Sequence, residues 1–200
     1  GCPGLSSVRI STPSGASTRR SSASAVAICA WSAKWSSVEF DTTTSNDPAR
    51  LVELADFGVD LRVGGHTDEL PLSLTVGAWL LSRAGWVGPR TYSTGTPSTD
   101  GRVALLVMAD GSAKRTTESP GYFDERAIAY DDVIAAALAD GDAQALANLD
   151  LDLAVELWAA GAPALRTLGQ MAKDATIAAQ LRENVAPFGV GYWVANWSFS

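Results

Sequence analysis

The apolar run Val103-Ala104-Leu105-Leu106-Val107-Met108 opens into the polar stretch Ala109-Asp110-Gly111-Ser112-Ala113-Lys114-Arg115, and an amphipathic segment at 124–139 follows. That succession constrains the fold more than any other feature. An uninterrupted apolar run of strand length has the pattern of a central strand covered on both faces, the habit of α/β sheets. Loops at the carboxyl ends of such strands are where α/β folds place ligands. Residues 109–115 are therefore the first place to look for a site.

The rest of the chain from about residue 47 continues the alternation. Residues 57–63 alternate apolar with polar or small residues and stop at Gly64-Gly65, which suits a half-buried strand. A broadly apolar helix is expected from about Pro71 to Gly85, with proline tolerated in its first turn. The 124–139 helix should end at Asp140-Gly141, with shorter helices near 142–147 and 151–160 and another at 163–171. Residues 177–185 and 189–197 read as two strands joined as a hairpin through Ala186-Pro187-Phe188-Gly189. The expected buried face of the last strand carries Val190, Tyr192, Val194 and Trp197, with Gly191, Trp193 and Ala195 opposite. The whole implies an α/β fold: a three-layer domain with a mixed sheet.

Residues 1–46 have a different character. They are rich in Ser and Thr, contain no acidic residue before Glu39, and lack a sustained period of either kind, so they read as a poorly ordered or atypical segment. The exception is 23–35, where Val26, Ile28, Trp31 and Trp35 suit a short strand or helix. The domain expected is 47–200, incomplete at its amino-terminal side if 1–46 contributes nothing.

Charge limits the partners. A net charge of −7 and a pI near 4.6 exclude a nucleic-acid ligand, because phosphate binding needs clustered Lys and Arg, and they disfavour an anionic membrane surface for the same reason. No apolar run approaches the roughly 20 residues that span a bilayer. Two cysteines, Cys2 and Cys29, make no disulfide framework, so a cytoplasmic protein is expected.

The chemistry-bearing residues are few. His66, the only histidine, sits in Gly65-His66-Thr67-Asp68-Glu69, and one imidazole in a loop does not make a zinc or iron site. There is no Gly-x-Ser-x-Gly elbow, and Gly189-Val190-Gly191 leads into a strand where a phosphate loop would lead into a helix. The remaining candidates are Asp110, Ser112 and Arg115 on the loop after the apolar strand, as the rim of a pocket for an acidic or hydroxylated ligand.

At this loop the chain resembles the class III extradiol ring-cleavage dioxygenases, the LigB-like group that includes the non-dioxygenase Memo proteins, and it is most like an actinobacterial branch. Their strand-end Gly-Asp-Leu-Ser-His loop is similar to 109–113, and their Pro-x-Gly-Tyr-Asp-x-Arg segment to Pro120-Gly121-Tyr122-Phe123-Asp124-Glu125-Arg126. The likeness runs through Ala139-Asp140-Gly141-Asp142 and Leu149-Asp150 to Ala186-Pro187-Phe188-Gly189-Val190-Gly191-Tyr192, which resembles the family's Pro-Tyr-Gly-Val-Gly-Tyr strand. It covers 100–197 well and 47–85 loosely.

The resemblance implies a LigB-like fold and, in active members, ferrous iron on two histidines and a glutamate, with a further histidine as acid or base. This chain departs from that set. Ala113 stands where the catalytic histidine would be, and Ala159 lies in Ala159-Ala160-Gly161 where the glutamate ligand is found. Glu156, a helical turn before Ala160, is the substitute ligand to consider, and Cys2-Pro3-Gly4 offers no histidine in place of the family's Cys-Pro-His-Pro-Pro. No cofactor is therefore expected, or Fe(II) if the chain is a dioxygenase. The reading is a LigB-like domain without iron-dependent ring cleavage that binds a small molecule or a protein partner, a second copy included. The alternatives are an active extradiol dioxygenase for catecholic substrates whose metal ligands are missing from this chain, and a non-enzymatic interaction domain.

Overall fold

In the computed structural model, which describes residues 25–30, 52–53, 62–63, 71–86, 90–97 and 103–199, strand β1 (Ala25–Ala30) lies at the centre of a three-stranded sheet. Strand β4 (Arg90–Ser93) and strand β5 (Val103–Met108) flank it, both parallel, with Val26 opposite Arg90 and Ala104, and Ala30 opposite Met108. Parallel neighbours need a crossover, and helix α1 (Leu72–Arg83) lies within the one from β1 to β4. Its Leu74, Ala78 and Leu81, at helical spacing, are buried against Tyr92, Leu106 and Met108. Strands β2 (Val52–Glu53) and β3 (Arg62–Val63) form a small antiparallel pair in the same crossover. Only these last two residues of the strand expected at 57–63 fall within the described part.

One expectation is met by this sheet and one is corrected. The 23–35 segment, read as a short strand or helix, supplies a strand at Ala25–Ala30, and among the described strands it lies at the centre. Val103–Met108, expected to be central, forms one edge of the described sheet, with Ala104 exposed. An apolar run reports burial of faces, and here α1 packs on β5, as does helix α5 (Ala162–Ala172). Apolarity carries no information about how many hydrogen-bonded neighbours the backbone has, so it could not order the strands.

Helix α2 (Arg126–Asp140) organises the second half of the chain. Ala127, Tyr130, Ile134, Ala137 and Leu138 recur at intervals of three and four, so they line one buried stripe. Packed on it are helix α3 (Ala143–Ala147), helix α4 (Leu151–Glu156) and α5, through Leu146, Leu157 and Leu165. Asp142 caps α3 by accepting from the Ala145 N–H at 2.9 Å, and Asp150 caps α4 by accepting from the amides of Asp152 and Leu153, each at 3.0 Å. Helix α4 ends at Glu156, short of the expected 160, because Trp158 takes a left-handed conformation (φ 58°) and turns the chain.

The carboxyl-terminal hairpin is present: β6 (Ile177–Val185) pairs antiparallel with β7 (Tyr192–Phe199) through a 3-10 turn at Pro187–Gly189, with a bulge at Arg182. It is a separate two-stranded sheet among the described residues, where one mixed sheet was expected. Its buried face also differs from expectation. Trp193, Ala195 and Trp197 pack on the α2 core, whereas Tyr192 and Val194 are exposed. Trp197 shares strand parity with 193 and 195, not with 192 and 194, so grouping it with the latter broke the two-residue period. Its indole N–H donates to the Leu138 carbonyl at 2.9 Å, tying β7 to the last turn of α2.

Candidate functional site

The loop that leaves the carboxyl end of β5 is held from several sides by main-chain hydrogen bonds. The Gly111 N–H donates to the Gly191 carbonyl at 2.7 Å and the Gly191 N–H to the Ser112 carbonyl at 3.0 Å, so the loop pairs with the approach to β7. The Ala113 N–H donates to the Leu157 carbonyl at 3.1 Å, just beyond α4, and the Arg115 N–H to the Gly189 carbonyl at 3.3 Å. The Gly121 N–H returns to the Ala113 carbonyl at 2.9 Å, closing the loop on itself. The segments 109–115, 157–161 and 187–192 therefore meet at one place.

Beneath this junction lies Asp131, which sequence reading passed over. Its side chain is fully buried on the core face of α2, where it shares the stripe of Ala127, Ile134 and Leu138. One carboxylate oxygen accepts from the Ser112 backbone N–H at 2.9 Å. The other accepts from the Ser112 hydroxyl at 2.8 Å and from the Arg115 guanidinium at 3.0 Å. A charge withdrawn from water is tolerable only when paired and hydrogen-bonded, and these three donors meet that demand. Gly191 makes room for it, since a Cβ there would stand 2.5 Å from a carboxylate oxygen. An aspartate on an apolar helical stripe was the signal available in the sequence.

Ser112 and Arg115 meet at Asp131 and both are committed to it: Ser112 is fully buried and the Arg115 side chain is 18 % exposed. Asp110 stands apart from that network. Burial pushes its carboxyl above the usual carboxylate range; the backbone N–H groups of Asp110 and Gly161 pull the other way, and the Asp131 charge adds to the rise. It has no ion-pair partner among the described residues. Tyr192 is its neighbour on β7, raised first by burial and then by the Asp110 charge. Gly161 has to be glycine here, because a Cβ would overlap the backbone amide of Asp110.

Ala113 and Ala159 both belong to this junction. Ala113 bonds to Leu157, and Ala159, which is buried, lies between Leu157 and Gly161, each of which touches the loop. Both offer only methyl groups. Glu156 does not join them: exposed at the end of α4, its carboxylate is held by Arg126 at 2.7 Å on the surface. His66 lies outside the described residues. Among the described residues, no group of three or more His, Cys, Asp or Glu side chains converges to hold a metal ion, and no helix is long and apolar enough to cross a membrane.

The same loop is bordered by strained aromatic residues. Tyr122, Trp158 and Phe188 are the only non-glycine residues with positive φ among those described, and their exposures of 78 %, 54 % and 89 % place all three rings at the solvent. Left-handed backbone costs a bulky residue on the order of 1–2 kcal/mol, so the packing around this loop holds each of the three in place against that cost. Lys114 lies with its ammonium 5.4 Å from the centroid of the Trp158 ring, a cation–π contact.

Compared with protein-family models, curated proteins and solved structures, the chain matches none of them.

Proposed function

We propose that this chain is a LigB-like three-layer α/β domain that binds a small molecule at the carboxyl end of β5 and does not carry out iron-dependent ring cleavage. The observation that supports it most is the meeting of 109–115, 157–161 and 187–192, segments that carry the resemblance and are far apart in sequence, around Asp110, which has no ion-pair partner among the described residues. In the dioxygenases these segments bring a histidine and a glutamate to the reacting centre. Ala113 and Ala159 supply neither a lone pair nor a transferable proton, so the side chains described at this junction do not fit ferrous iron.

What the junction retains suits binding. A half-buried carboxyl and a tyrosine hydroxyl give directional hydrogen bonds, and half-exposed aromatic rings give apolar surface beside them. The test is a titration with catechol followed by tryptophan fluorescence, since Trp158 and Trp193 border the loop. Saturable quenching without ring-opened product is the expected result; no saturable change at millimolar catechol would count against a retained cleft. The interaction-domain reading draws on Phe188, the most exposed of the three rings, and Phe188→Ala separates the two: it leaves ligand quenching unchanged if the small-molecule reading holds.

A further inference from the structure

We draw no further inference here: the strongest candidate, the surface patch of exposed aromatic rings that Tyr122, Trp158 and Phe188 set around the loop after β5, belongs to the site already described, and nothing in the structure shows what covers it.

Discussion

Replacing Asp131 with Asn tests whether the buried carboxylate holds the β5 loop on α2. The substitution keeps the volume but removes the charge opposite Arg115 and turns one acceptor into a donor facing donors. Breaking a buried ion pair from one side costs about 3–5 kcal/mol, and the partial exposure of Arg115 favours the lower end. Against a net domain stability of about 5–15 kcal/mol that is a large share. In urea denaturation followed by tryptophan fluorescence, with a slope near 2 kcal/mol/M, the midpoint should fall by about 1.5–2.5 M. Arg115→Met alone should also destabilise, and the double variant should cost at least about 1 kcal/mol less than the sum of the two. A loss under about 1 kcal/mol for Asp131→Asn, or strict additivity, would refute the assignment of Asp131 as the anchor of the loop.

Asp110 should behave in the opposite sense. Its native pKa is raised, so its stabilising contribution is present below the ordinary carboxylate range and is lost as pH rises through the native value. Asp110→Asn should therefore be more stable than the parent at pH 7, with the difference shrinking toward pH 4 in thermal melts. Gly161→Ala should cost about 1–3 kcal/mol by overpacking, because the Asp110 backbone it meets cannot yield as a side chain would, and calorimetric unfolding measures it. Deleting residues 1–46 removes β1 and leaves β4 and β5 without their shared neighbour; hydrogen exchange should show protection lost at 103–108 and kept across α2. Unchanged protection at 103–108 would contradict the central position of β1.

The α/β character, helix α1 and the terminal hairpin were legible because they follow from local periods. Pro71 and Gly141 bound their helices where proline and glycine chemistry requires. Strand order was not legible, since pairing of β1 with β4 and β5 joins residues far apart in sequence, and the local apolar pattern that marks 23–35 as a possible strand says nothing of which strands it pairs with. At the site, the loop 109–115 could be found from its place after β5. The role of Ser112 and Arg115 could not, because it depends on Asp131, which looks in sequence like one more helix-surface acid beside Asp132. Only its position in the stripe of Ala127, Ile134 and Leu138 distinguishes the two.

Iron loading tests the proposed function most directly. The full chain is incubated anaerobically with ferrous iron, desalted, analysed for metal, and then exposed to catechol and oxygen with oxygen uptake recorded. The expected result is sub-stoichiometric iron and no uptake above the buffer rate, because the junction offers methyl groups at Ala113 and Ala159. One tightly held iron per chain together with catechol-dependent oxygen uptake would contradict it, and would mean that residues outside those described complete a working centre.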